Sequence, residues 1–311
     1  MPQRLQKLKI DLASDDAEVV AKALDELAGL RTAEAAELLF EKACDEAFSA
    51  AKLASNTFSA FVAAHPKIAL RHTSSDLRKS AIAHLSSQKV IAAVPELARV
   101  LNSKMSLEIR CLSATALGAI GQTASVPVLV EARQDPTPEI RAAALHGLQN
   151  IMQVAGEKAV IGFLEDHDWA LRLDAKEHLE STGWAPKTNR EKVLWGIALG
   201  RFDAAVAHGQ ESVDALVDAT LHVNDAEVRR WSAVALTRLN SDTAARRLRK
   251  ALKSQNAAER EAASAALAIL GVPDDQEGPG EAEQLLVLTP TNPRESVFAA
   301  AARMLTLIGQ P

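Results

Sequence analysis

A segment reading Asp135-Pro-Thr-Pro-Glu-Ile-Arg and continuing Ala-Ala-Ala-Leu-His-Gly-Leu148 recurs along this chain, and the recurrence restricts its fold more than any other feature. Thirty-one residues upstream the chain reads Glu108-Ile109-Arg110, with Leu117 in the place of Leu148; thirty-one downstream it reads Ala170-Leu171-Arg172, with Leu179 there. Self-similarity at a period of this size marks stacked supersecondary units, none of which can bury its apolar face alone. With the apolar residue before the Arg as position 1, clear units begin at Val19, Leu77, Ile109, Ile140, Leu171, Val228 and Val297, and a weaker one at Glu259. Two gaps are nearly twice the period. Between Val19 and Leu77 a degenerate unit is expected near Ala50, with Ala54, Phe58 and Phe61 facing inward; between Leu171 and Val228 something irregular intervenes.

Positions 1, 5, 8, 9 and 12 are mostly small or apolar, as in Ile109, Ser113, Ala116, Leu117 and Ile120, and fall on one face of a helix. Gly often follows (Gly121, Gly271, Gly309), the residue that most easily ends a helix in the left-handed conformation. A second apolar segment comes next, such as Val94-Pro-Glu-Leu-Ala98 or Val126-Pro-Val-Leu-Val130. Its Pro stands in the first turn, where a missing N–H costs nothing. Each unit is therefore a helical hairpin. The chain is 48% hydrophobic but only 4% aromatic and lacks Tyr, a mix that suits close-packed helices and not a β-sandwich.

The pattern Asp-x-x-x-Glu-(Val/Ile)-Arg-x-x-Ala-x-x-Ala-Leu-Gly resembles the HEAT repeat, in its short bacterial and archaeal form with repeats of the phycobilisome-lyase type. The resemblance spans nearly the whole chain and implies an all-α, right-handed solenoid of about nine hairpins, with the Arg-bearing helix on the inner, concave side. It further implies a ladder in which Arg78, Arg110, Arg141, Arg172, Arg229 and Arg260 meet turn carboxylates such as Asp135, Asp166 and Asp225 of neighbouring units. Val20 and Phe298 replace the Arg in the first and last units, as end caps would. The expected organisation is an N-terminal cap and degenerate repeat (1–75), regular repeats (76–182), an insertion with Trp184, Trp195 and Phe202 plus a helix (183–222), regular repeats (223–271), an acidic loop (272–282) and a capping repeat (283–311). The insertion resembles a Gly-Trp-x-Pro element of bacterial HEAT-like proteins, and a packing role suffices for it.

Enzymatic readings of this fold are tested against the residues. A di-iron hydroxylase similar to deoxyhypusine hydroxylase needs repeated His-Glu pairs, and the chain has no His-Glu dipeptide. His84 and His178 share position 8, a core-facing place. No zinc cluster, phosphate-cradling loop or nucleophile elbow is present in the sequence. No metal or cofactor is expected. Cys44 and Cys111 match no metal spacing and read as two reduced thiols of a cytoplasmic protein. The first residues carry no signal-peptide-like apolar core, and no apolar run reaches membrane-spanning length.

Three functional readings remain. Net charge is -5, and positions 3, 7 and 10 of the inner helices, expected to face solvent, are small and nearly neutral, which disfavours duplex binding on the concave side. Small residues there could instead form a groove for a partner segment, its contacts coming from Lys79, Cys111, Thr115, Gly118, His146, Gln149 and Arg230. Equally, they could serve tight packing of the inner helices and leave no groove. A non-enzymatic scaffold or adaptor binding another protein is the leading expectation. The alternative is a nucleic-acid-binding protein using the basic stretch of Arg246, Arg247, Arg249, Lys250 and Lys253 with Arg229, Arg230 and Arg238. A bilin-lyase-like protein that assists modification of a partner is the third.

Overall fold

A computed structural model describes residues 2–151 and 154–272, and among these every regular element is helical. Beyond Val272, the expected acidic loop and the capping repeat with Val297 and Phe298 lie outside the described residues. The chain divides into two compact units, Met1–Ala159 and Val160–Pro311.

The first unit contains α1 (Pro2–Asp11), α2 (Ala17–Leu30), α3 (Ala33–Cys44), α4 (Ala51–Ala64), α5 (Pro66–Leu70), α6 (Ser75–Ser87), α7 (Val94–Leu101), α8 (Leu107–Ile120), α9 (Val126–Ala132) and α10 (Pro138–Gln149); α11 (Val154–Ile161) spans the junction. Inner helices α4, α6, α8 and α10 lie side by side; α7 packs against α8, and α9 against α10. The expected degenerate unit is α4, and Ala54, Phe58 and Phe61 are buried as anticipated. Leu77, Leu85, Ile109, Leu117, Ile140 and Leu148, at matching places of successive inner helices, are all buried. Burying each such side chain contributes about 1.5–3 kcal/mol.

The punctuation between helices follows the sequence signals. Ser74 caps α6 by accepting from the Leu77 N–H, satisfying one of the donors a helix start leaves open. Gly121 ends α8 with φ +73°, a conformation that costs glycine little. Single 3₁₀ turns, Ile91–Ala93 and Thr123–Ser125, lead into α7 and α9, each of which has Pro in its first turn. Val20, in the Arg position of the first repeat, is buried instead.

The second unit contains α12 (Trp169–Ser181), α13 (Asn189–Ala198), α14 (Phe202–Val206), α15 (Val213–His222), α16 (Ala226–Leu239), α17 (Asp242–Ala251) and α18 (Ala257–Ile269). Its core gathers Trp169, Val193, Ile197, Phe202, Leu216, Val228, Leu236, Leu248 and Leu267. The irregular segment between Leu171 and Val228 is thus three helices, with α13 started by a capping box between Thr188 and Glu191. Phe202 is buried, whereas Trp184 and Trp195 are half-buried and meet edge to face at 5.2 Å.

Several of the repeat arginines bond carbonyls of the turn before their own helix. Arg78 donates to the His72 and Thr73 carbonyls, Arg141 to those of Asp135 and Pro136, Arg229 to that of Val223, and Arg260 to those of Ser254 and Gln255. In each case the guanidinium secures the turn that leads into its own helix. Arg110 makes the expected inter-repeat pair, with Asp135, while its Nε donates to the Leu101 carbonyl at 2.7 Å. Asp225 does not act as a rung through its capping oxygen; that oxygen accepts from the Val228 N–H and starts α16. Arg172 is buried and lies 3.6 Å from Asp218, a residue no repeat alignment marked.

Candidate functional site

Position 10 divides: Glu180, Thr237 and Ala268 of the second unit are exposed as expected, whereas Ser59 and Gly118 of the first are buried. Gly118 is buried against Gly147 of the next inner helix, and Gln88 bonds the buried Ser59 hydroxyl. In the first unit α6 has α4 and α8 on its two sides and α8 has α6 and α10, with α7 also packed against α8. The open arc is therefore narrower and shifted, to positions 3, 4, 7 and 11. On it, Leu112, Ala83 and His146 are exposed, and Lys79, Cys111, Thr115 and Ala142 are half-covered. Gly118, expected among the partner contacts, is packing material, and Gln149 is half-buried.

The remaining groups on this face have defined local roles. Lys79 reaches Glu108 of α8 at 2.6 Å. The Thr115 hydroxyl donates to the Cys111 carbonyl at 3.1 Å, within its own helix. The Cys111 thiol lies 3.6 Å from the Glu139 carbonyl, and burial pushes it above the usual thiol range, the reverse of an activated nucleophile. Arg230 belongs to the second unit, where it is exposed and its guanidinium lies 5.9 Å from the Trp231 ring. His84 and His178 are half-buried, and burial lowers the pKa of both. The His84 ring meets Phe58 edge-on at 5.6 Å.

On α17, Arg246, Arg247 and Lys250 are exposed, as is Lys253 just beyond it. Arg247 pairs with Asp214 and Arg249 is half-buried, which thins the expected basic patch. Arg229 is turned away into the Val223 carbonyl.

The densest gathering of titratable groups lies elsewhere in the second unit. Asp218 and His222, one turn apart on α15, approach to 2.9 Å, and His167 Nε2 lies 3.6 Å from the same carboxylate oxygen. The two imidazoles stack with centroids 4.9 Å apart. Glu259 of α18 stands 3.7 Å from His222 Nε2, and Arg172 faces the other Asp218 oxygen. Burial works against ionising Asp218, but the two histidines outweigh it and hold the carboxyl well below its usual range. His222 is raised, chiefly by its bond to Asp218, with burial opposing. His167, Asp218 and His222 bring one ligand atom each within 4.8 Å of one another. Sequence reading missed all three; the spacing of Asp218 and His222, i and i+4, was the available trace.

The model of the HEAT repeats family matches residues 66–149. This segment is a run of HEAT repeats. It opens at Pro66, the first residue of α5, and closes at Gln149, the last of α10, so the HEAT segment holds the whole face from Lys79 to His146. No curated protein matches the chain. Among solved structures, the complex of CpcE and CpcF of phycocyanin lyase from Nostoc sp. PCC7120 is similar at 22% identity, covering 68% of this chain and 77% of that one, with a TM-score of 0.30. An engineered protein is similar at 21% identity over 98% of this chain and 88% of its own, TM-score 0.32. Human deoxyhypusine hydroxylase is similar at 18% identity over 91% and 99%, TM-score 0.28. Among the described residues no helix is long and apolar enough to cross a membrane.

Proposed function

We propose that this chain is a non-catalytic protein-interaction scaffold that receives an apolar partner segment on the inner-helix face of its HEAT repeats. The observation that carries the reading is the exposure of Leu107 and Leu112 on α8, whose neighbours α6 and α10 carry the small Ala83, Ala142 and Ala143. A lone exposed Leu is ordinary. Here two stand on a helix whose neighbours offer methyl groups, so a partner's backbone can come close and its apolar side chains find cover. Lys79, paired with Glu108, and His146 supply polar contacts on the flanking helices. The near-neutral face favours a partner segment of low charge. Leu112→Asp and Ala83→Arg alter two side chains on the open arc. Each should abolish capture of the partner from a host lysate while leaving the melting curve unchanged; capture that persists in both sinks the reading. Gly118 is unsuited to such a test because it is buried.

The nucleic-acid reading would rest on Arg246, Lys250 and Lys253. Its signature would be heparin retention that falls steeply with salt and disappears when these three are neutralised.

A further inference from the structure

We propose that His167, Asp218 and His222 form a binding site for a zinc-class divalent cation, with Glu259 as the outer partner that orients His222. Imidazole nitrogens and a carboxylate oxygen are ligands that zinc and its first-row neighbours accept. Bonds of about 2.0–2.1 Å in a tetrahedral shell place ligand atoms about 3.3 Å apart. The contacts to Asp218 Oδ1, 2.9 Å from His222 Nδ1 and 3.6 Å from His167 Nε2, straddle that value. The adjustment still needed falls on the His167 ring, whose side chain is 57% exposed.

The protein holds these groups in place before any ion arrives. Asp218 and His222 share one face of α15, as i and i+4 neighbours must. His167 stands in the turn before α12, and that turn is fastened to the end of α15 at two points. The Asn224 N–H donates to the His167 carbonyl at 2.8 Å, and the Trp169 N–H donates to Asn224 Oδ1 at 2.8 Å. A site held by such supporting bonds loses little freedom on binding.

The surrounding shell suits a metal. With Nδ1 directed at Asp218, His222 presents Nε2–H to Glu259 Oε1 at 3.7 Å, and Glu259 is itself held by the Ser254 hydroxyl. A carboxylate behind a ligating histidine fixes its tautomer and raises its basicity. The buried Arg172 takes Asp218 Oδ2, leaving Oδ1 turned toward the histidines. Two carboxylates stand against one guanidinium, so with both imidazoles neutral the cluster carries excess negative charge. The exposed side at His167 leaves room for water in a remaining coordination position.

The test uses the full-length, tag-free chain stripped with EDTA. Titration calorimetry with Zn²⁺ should show one equivalent bound, and Co²⁺ should give the visible absorption of a four- or five-coordinate ion. His167→Ala and His222→Ala should each abolish both signals, Glu259→Gln should weaken zinc binding about 10–100-fold, and His208→Ala should change nothing. Circular dichroism confirms that each variant is folded; His167, being exposed, keeps the test decisive if His222→Ala unfolds. Absence of stoichiometric binding by the folded wild type, or binding undiminished in His167→Ala, overturns the proposal.

Discussion

Gly118 and Gly147 meet backbone to backbone where α8 crosses α10. A Cβ on Gly118 would overlap the Cα and carbonyl oxygen of Gly147 and lie only 2.7 Å from its carbonyl carbon, and one on Gly147 would lie 2.8 Å from the Ala114 carbonyl oxygen. Of the two roles open to the small residues, Gly118 therefore serves close packing, while Ala83 and Ala142 stay on the open arc.

Gly118→Ala should consequently destabilise the first unit by about 1–3 kcal/mol, the usual cost of overpacking, although alanine is the better helix former. Gly29 on α2 is the control, because nothing lies within 4 Å of its added Cβ. Gly29→Ala should be neutral or stabilise by up to about 1 kcal/mol. Urea melts of the two variants check the contrast, and equal effects would contradict it.

Arg110 joins two repeats by holding the Leu101 carbonyl with Nε and the Asp135 carboxylate with Nη2. Arg110→Lys keeps the charge but cannot serve both acceptors, so a loss of about 1–3 kcal/mol is expected. Burial opposes the Asp135 charge, but the Thr137 N–H and Arg110 outweigh it and lower this pKa below 3.8. A carboxyl lowered on folding contributes stability that is present above its unfolded pKa and lost as pH falls through the folded one. Asp135→Asn should therefore flatten the acid limb of the stability curve below about pH 4, read as the wild-type-minus-variant difference in melting temperature.

His84 shifts in the other pH range. Burial beside Phe58 disfavours its cation, so its folded pKa lies below 6.5. The unfolded chain then binds the proton more readily, and stability falls as pH drops through this value. His178 adds a shift of the same sign. His84→Leu should gain on the wild type as pH goes from about 8 to about 5. Melting temperatures at a few pH values suffice, and a constant offset would show that His84 does not titrate differently in the folded chain.

Much of this was legible in the sequence because a repeat states its core many times. Ile109, Leu117, Ile140 and Leu148 recur at matching places and are buried at matching places, and Phe58 and Phe61 could be placed by extrapolating the period. Gly118 was misjudged because a single-helix wheel leaves out the neighbouring inner helix, which approaches closely through Gly147. The histidine cluster escaped for a different reason. Comparing equal positions between repeats finds ligands that repeat, whereas His167 lies in a turn and its partners stand on α15, an outer helix in the irregular stretch. Only the clasp around Asn224 brings them together, and tertiary geometry of that kind leaves no periodic trace.

Arg78, Arg229 and Arg260 spend their hydrogen bonds on carbonyls five or six residues upstream, inside the turn that each follows. A hairpin built this way travels with its own fastening. Duplicating or deleting one leaves no orphaned guanidinium on either side of the scar, so an array of such parts can change length by whole periods. The Arg110–Asp135 and Arg172–Asp218 contacts reach beyond the turn before the helix, and there the chain has given up some of that interchangeability.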